Sequence, residues 1–319
     1  MNYRGLGRSG LKVSELGLGT YLTFGEKLTE KESISIIQKA FENGINFFDT
    51  ANVYQGGLAE EILGRALKSI PRLSTVIGTK AYFRVGDGPN DKGLSRKHII
   101  EQAHKSLKRL DTDYIDVFYC HSFDKNTPIE ETLRAIDDLI RQGTVLYAGV
   151  SNWSAEQINE AIRIADQKLL DRIIVSQCEY SLLKRGIEKE MIPASEKLGV
   201  SQVVFSPLAQ GILTGKYNNG TSENSRANQQ GVNKFFHQLY TKENMDVVKN
   251  LDEIANQYDF SLSELAILWV LRKKNVASAI MGISSVRQLE LNLKAVRKTL
   301  NKTVIEEVEK VLAQRISLR

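Results

Sequence analysis

Short apolar runs alternate with amphipathic stretches along this chain. The runs fall at Leu16–Leu18, Asn46–Phe48, Thr75–Thr79, Tyr114–Cys120, Val145–Val150, Ile173–Gln177, Val200–Phe205 and Ser278–Met281. Their starts lie 30, 29, 39, 31, 28, 27 and 78 residues apart. The stretches between them carry apolar residues at helical spacing: Ile34, Ile37, Ala40 and Phe41 share one face of a segment that opens on the capping-box-like Thr29-Glu-Lys-Glu. Further helices are predicted over 60–69, 95–110 with Ser95 as N-cap, 129–142, 154–167 and 185–198. Gly44, Gly143 and Gly199 stand where left-handed residues end helices. A buried strand followed by an amphipathic helix is a βα unit, and eight of them at a period near 30 predict a closed (β/α)8 TIM barrel rather than its rival, an open doubly wound sheet.

Two departures from the period add detail. The 78-residue gap contains the polar, Asn/Gln-rich stretch 218–235, expected as a loop, and then helices over 242–258 and 261–274. After the eighth strand come a helix over 286–297 and an extra amphipathic helix over 303–313, expected to lie across the outside. At the other end, Gly5, Gly7 and Gly10 spell G-x-G-x-x-G. Only four residues precede it and an alternating, strand-like segment follows, so it lacks the strand-then-helix context of a dinucleotide fingerprint. Residues 2–14 are predicted to form a β-hairpin turning at Arg8-Ser9-Gly10. No linker interrupts the pattern, and one domain over 1–319 is expected.

Composition removes several function classes. The chain has 319 residues, 42% hydrophobic and 25% charged, with a net charge of +5 spread along its length. That is an ordinary globular balance, mildly favourable to an anionic small ligand and without a nucleic-acid footprint. No apolar run approaches the roughly 18 residues of a membrane span, so direct membrane insertion is not expected. The N-terminus shows no secretory apolar segment, and Cys120 and Cys178 each lie in an apolar run; the expectation is a reducing, cytoplasmic setting with buried thiols. No cysteine or histidine ladder calls for a metal.

In a barrel of this kind chemistry collects at the C-terminal ends of the strands. The second strand ends in Asp49, the third in Lys80, the fourth in His121, and Tyr54 follows in the loop after the second. Asp is costly to bury without a charged partner, and Lys80 supplies one. The ammonium is expected to lower the Tyr54 pKa towards a useful general acid/base, with Asp49 holding the lysine in place. His121 can donate a hydrogen bond to a carbonyl oxygen. The set can polarise a carbonyl and protonate it but holds no nucleophile, so a reduction needs an imported hydride donor.

The tetrad, together with GLGTYLTFG, GINFFDTANVY, VIGTK, SLKRLDTDYIDVFYCH, GVSNWS, SPLAQGILTGKY and GISSVRQLELNL, resembles the aldo-keto reductase superfamily along essentially the whole chain. LSRKHIIEQAHKSLKRL and NTPIEETLRA are most similar to the branch that holds the voltage-gated potassium channel β-subunits and their prokaryotic relatives. Animal β-subunits carry Asn where this chain has His121. The resemblance implies NADP(H) extended across the barrel mouth. It places Ser151, Asn152 and Gln177 at the nicotinamide with Tyr180 stacked under the ring, Thr20 and Asp49 at its ribose, and Ser206, Pro207, Leu208, Gly211 and Leu213 along the pyrophosphate. It further places Lys216, Arg226, Ser284 and Gln288 around the 2′-phosphate and Asn292 at the adenine, with Tyr21, Ala209 and Gly282 as further cofactor contacts. The family commonly has an acidic residue where this chain has Leu291. The substrate pocket is expected from Tyr21, Phe24, Tyr54, Phe83, His121, Phe123 and the 218–240 loop.

The implied activity is NADPH-dependent reduction of an aldehyde or ketone, with Tyr54 as the general acid. The same resemblance supports an alternative, a cofactor-sensing regulatory subunit of a membrane channel or transporter, and leaves homo-oligomerisation open. A metal-dependent barrel hydrolase is a third reading. It requires several inward ligands, and of His98, His104, His121 and His237 only His121 falls at a strand end.

Overall fold

A computed structural model describes residues 1–218, 220 and 233–317. Tyr3–Gly5 (β1) and Lys12–Ser14 (β2) pair antiparallel as the expected hairpin. Eight strands then close a barrel: Leu16–Gly19 (β3), Phe47–Asp49 (β4), Val76–Ala81 (β5), Ile115–Cys120 (β6), Val145–Ser151 (β7), Ile173–Glu179 (β8), Ser201–Phe205 (β9) and Val276–Gly282 (β10). All eight neighbour pairs are parallel, and β10 returns to pair with β3. The (β/α)8 barrel read from the apolar period is therefore the fold.

Helices alternate with the strands: Glu30–Glu42 (α1), Leu58–Leu67 (α2), Arg96–Leu110 (α3), Ile129–Arg141 (α4), Ala155–Lys168 (α5) and Met191–Leu198 (α6). Asn233–Leu239 (α7), Lys242–Gln257 (α8) and Leu262–Leu271 (α9) precede β10, and Val286–Ala295 (α10) and Lys302–Ser317 (α11) follow it. Thr29 and Glu32 form the anticipated capping box, and Ser95 accepts from the His98 amide. Gly44, Gly143 and Gly199 all have positive φ. Helix ends shift by up to four residues from the sequence reading, and two segments differ in kind. The segment expected as one helix over 185–198 is a 3-10 turn at Gly186–Glu188 followed by α6, because Pro193 is tolerated only in a helix's first turn. Part of the expected loop is α7, anchored by Phe236, whose ring packs 4.8 Å from Tyr217 and 5.0 Å from Tyr240.

Period-2 alternation sorts the strand side chains into two cores. Phe47, Val76, Val117, Tyr119, Val175 and Val203 point into the barrel, whereas Phe48, Ile77, Phe118, Val150 and Val204 pack outward against helices. Gly149 makes room for the interior Tyr119: a Cβ there would lie 2.6 Å from the tyrosine ring. The hairpin plugs the N-terminal end of the barrel. Leu6 and Val13 join the interior core, the Arg8 amide bonds Gly199 O, and Arg4 reaches Val276 O at 2.7 Å. The would-be fingerprint glycine Gly7 is a hairpin residue with φ +61°, and a Cβ on it would lie 2.3 Å from Ile174 O. The hairpin thus stoppers the N-terminal end of the interior core. Among the described residues no helix is long and apolar enough to cross a membrane.

Candidate active site

The inward alternation that begins with the interior core ends, at the mouth, on polar residues. Phe47 is followed by Asp49 on β4, Val76 by Lys80 on β5, and Val117 and Tyr119 by His121 beyond β6. The same parity brings Ser151 on β7, Gln177 on β8 and Phe205 on β9 to the mouth.

Lys80 is fully buried. Its ammonium donates to Asp49 Oδ1 at 2.6 Å and to the Thr50 carbonyl at 2.7 Å, and Gln177 Nε2 donates to Asp49 Oδ2 at 2.8 Å. Burial lowers the Lys80 pKa; Asp49 and then Glu60 oppose that. The predicted Asp–Lys pair is thus formed across β4 and β5.

Tyr54 opens the turn Tyr54–Gly57, whose Gln55, Gly56 and Gly57 all have positive φ. That turn carries the tyrosine back over the strand ends: its ring centroid lies 5.2 Å from Lys80 Nζ, 4.9 Å from the Tyr21 ring and 5.8 Å from the His121 ring. Phe83 closes the other side, 4.8 Å from His121 and edge-on. Phe83 is there because the loop between β5 and α3 folds back, with the Gly93 amide on Tyr82 O. That loop accounts for the long 39-residue repeat.

The electrostatics differ from the sequence expectation in one respect. The Tyr54 phenol is pushed well above its ordinary value, first by burial, then by the Asp49 carboxylate and by Tyr21. The lysine does not reverse this, because its charge is spent on Asp49 and Thr50 O. Resting Tyr54 is a firmly protonated acid. His121 is pushed down to about 2, by burial and then by the Lys80 charge. It is a neutral imidazole at physiological pH, and its buried Nδ1 has no protein partner. A neutral imidazole beside a protonated phenol can share a carbonyl oxygen as two hydrogen-bond donors.

Backbone strain gathers at the same rim. Nine described non-glycine residues have positive φ; Asp111, Leu169 and Asp259 follow helices, and the rest are Leu22, Gln55, Asn152, Ser206, Ala209 and Gln210, in loops after strands. Such conformations cost about 1–3 kcal/mol each and cluster at ligand sites. Ser206, Ala209 and Gln210 begin the turn that continues β9, with Gly211 at φ +90°.

The residues expected to contact an extended dinucleotide are placed as follows. Thr20 is buried, with its hydroxyl on Thr50 Oγ1 at 2.9 Å and its amide on Asp49 O. Asn152 bonds Ser151 Oγ at 3.1 Å. Pro207, Leu208, Ala209 and Leu213 are buried in the β9 turn, and Lys216 is exposed at its end. Beyond β10, Gly282 and Ser284 are exposed, and Ser284 N and Oγ both bond Gln288 Oε1. Asn292 is buried on α10 with an Nδ2 that has no protein partner, a donor left over for a ligand acceptor, beside the exposed Leu291. Arg226 lies outside the described residues.

Two expected contacts are placed elsewhere. Tyr180 points outward from β8: it is fully buried, its ring packs 5.3 Å from Trp269, and its hydroxyl sits between Glu188 and Arg272. It has no open face for a ring in the mouth. Phe205, half-buried on the inward face of β9, has one, and strand parity from Val203 is the signal that finds it. Phe24 is likewise fully buried in the outer core, away from any pocket wall. Tyr21 and Phe83 are exposed at the rim, and Phe123 packs edge-on to Trp153 at 5.0 Å.

The aldo/keto reductase family model matches residues 15–313. The chain is 44% identical over 318 residues to a protein of Arabidopsis thaliana named probable voltage-gated potassium channel subunit beta, covering 98% of this chain and 97% of that one. A protein of the same name from Oryza sativa subsp. japonica is 42% identical over 318 residues, with the same coverage.

Proposed function

Because this chain belongs to the aldo/keto reductase family, we propose that it is an oxidoreductase reducing aldehydes or ketones to alcohols with NADPH, using Asp49, Tyr54, Lys80 and His121. The observation that carries this reading is the closed Asp49–Lys80 pair at 2.6 Å under a protonated Tyr54 and a neutral His121. A bound nicotinamide would supply the hydride. Ser151, Asn152 and Gln177 would hold its amide end, with Phe205 as the aromatic face; Lys216 and Ser284 would take the phosphate end and Asn292 the adenine. Lys216 favours the 2′-phosphorylated form as a cationic donor to a phosphate.

The chain's own residues do the rest. His121 and Tyr54 hydrogen-bond the carbonyl oxygen and draw charge onto it. As that oxygen becomes an alkoxide, its basicity overtakes that of the phenolate, and the Tyr54 proton crosses. The high Tyr54 pKa suits this direction: the proton stays in place until the oxygen demands it. Lys80, held charged by Asp49, steadies the phenolate left behind. Tyr21, Phe83 and Phe123 give the substrate aromatic walls.

The test is NADPH oxidation across a panel of aldehydes and ketones, with NADH alongside. Tyr54→Phe is expected to bind NADPH normally and lose about 10²–10⁴-fold in turnover, the usual worth of a general acid. Full turnover in that variant would sink the mechanism. A second reading, a cofactor-sensing subunit of a membrane channel, is supported by the names of the two plant relatives. Feeble turnover on every carbonyl together with co-purification of a membrane partner would favour it.

A further inference from the structure

A second buried carboxylate stands behind the tetrad. Glu60 lies in the first turn of α2, three residues beyond the Tyr54–Gly57 turn, and has no solvent exposure. Both its oxygens are engaged. Oε1 accepts from Thr79 Oγ1 at 2.5 Å, and Oε2 accepts from Arg109 Nε at 2.6 Å. Thr79 is the outward-facing neighbour of Lys80 on β5, so the first contact ties α2 to the strand that holds the lysine. Arg109, near the end of α3, makes the second contact while its stem runs under the turn. A Cβ on Gly57 would lie 2.7 Å from Arg109 Cδ, and Gly57 has φ +101°. Gly64 brings the two helices closer still: a Cβ there would lie 2.5 Å from Leu110 O.

Three elements are therefore pinned by one carboxylate: β5 behind Lys80, α2 just after Tyr54, and α3 beneath the turn between them. The turn has its own reason to need pinning: Gln55 holds a left-handed conformation that costs a non-glycine residue, and Gly56 and Gly57 beside it add backbone freedom. A buried carboxylate of this kind is tolerable only with full partners. Resting on the reductase reading above, we propose that Glu60, clamped by Thr79 and Arg109, is a positioning residue that sets where the Tyr54 phenol stands over Lys80. The charged and titratable groups around the lysine are Asp49 on β4, Glu60 on α2, Tyr54 in the turn and Tyr119 and His121 from β6. Glu60 is the member of that set that touches neither substrate nor the tetrad. The direction of its influence on Lys80 agrees: Glu60, after Asp49, favours the charged ammonium.

The experiment compares wild type with Glu60→Gln, Arg109→Met, the double variant and Thr79→Ser, which keeps the hydroxyl. Turnover and KM are measured with NADPH and the best aldehyde, NADPH affinity by fluorescence, and Tyr54 ionisation by the ultraviolet tyrosinate signal that Tyr54→Phe removes. Glu60→Gln and Arg109→Met are expected to keep NADPH affinity within about threefold and to lose turnover by about 10²-fold, the scale of a 1 Å misplacement, with KM little changed. The double variant is expected to lose no more than either single one, and Thr79→Ser to stay near wild type. Tyr54, freed to reach water, is expected to ionise at lower pH than in wild type. Turnover within twofold of wild type, or a Tyr54 titration that does not move, overturns the proposal. A wild type without turnover on any carbonyl refutes the reductase reading instead, and the Tyr54 titration still decides whether Glu60 positions the phenol. If Glu60→Gln does not fold, Arg109→Met and its titration carry the same decision.

Discussion

Asp49 shows how a residue's neighbours in sequence and in space can imply opposite signs. Along the chain it is a strand-end acid that needs Lys80, and the lysine is expected to lower the Tyr54 pKa. In space the ammonium is consumed by Asp49 and Thr50 O, and burial first, then the carboxylate, raise the Tyr54 pKa. Asp49→Asn is therefore predicted to let Tyr54 ionise at lower pH than in wild type, by tyrosinate titration against a Tyr54→Phe blank; a rise would restore the simpler picture. His121 supports a second prediction. Its folded pKa of about 2 lies below the unfolded value near 6.5. The unfolded chain thus binds the extra proton first as pH falls. The stability is fully present above about pH 6.5 and is lost as pH drops below it, at about 1.4 kcal/mol per pH unit. Between pH 7 and 5 wild type is expected to lose about 2 kcal/mol more than His121→Asn in urea unfolding. Parallel curves for the two proteins would place the imidazole in a wetter site.

At the scale of elements, local signals located the helices and a single proline corrected one of them. The Thr29 and Ser95 caps and the terminal glycines were all legible, because capping is a contact between residues three apart. Ser95→Ala is predicted to cost about 1 kcal/mol, read as a lower urea midpoint at unchanged slope. The break before α6 was read through as one helix over 185–198, although Pro193 marks it. Strands are different, since their facing depends on parity counted from the core. Counting from Val203 finds Phe205, and counting from Val175 turns Tyr180 outward. Gly149 has the same inward parity against Tyr119. Gly149→Ala forces a methyl into that ring and is predicted to cost about 1–3 kcal/mol in unfolding free energy. An unchanged midpoint would mean the barrel interior has slack that the packing does not show.

The whole molecule is held shut at the bottom by the hairpin and braced along one side by α11. Val304, Val308 and Leu312 of that helix are buried, and Glu309 joins Arg185 and Arg272 beside Trp269. Arg272 also bonds Glu188 at 3.0 Å, and its guanidinium stacks 3.6 Å over the indole. Without it Glu188 still holds Arg185 at 2.7 Å and the Tyr180 hydroxyl, so its charge stays partnered. Arg272→Met is accordingly predicted to cost about 1–3 kcal/mol, the worth of the lost charged hydrogen bonds, and a thermal melt within a degree of wild type would refute that. This brace is where Tyr180 is occupied, which ties the outward face of β8 to the last helix.

The sequence alone determined the barrel, the order of its strands and the placing of Asp49, Lys80 and His121 at their ends. Each of these rests on periodicity or on position at a strand end, and both are properties of neighbours along the chain. It could not decide the sign of the Asp49 effect on Tyr54, the burial of Phe24 or the clamp of Glu60 by Thr79 and Arg109. Those depend on groups 19 and 49 residues apart, as for Glu60, or on which charge is already neutralised when two strands meet. Distance along the chain carries no information about either. Desolvation, which sets the protonation of Tyr54, Lys80 and His121, exists only once the barrel has closed over them.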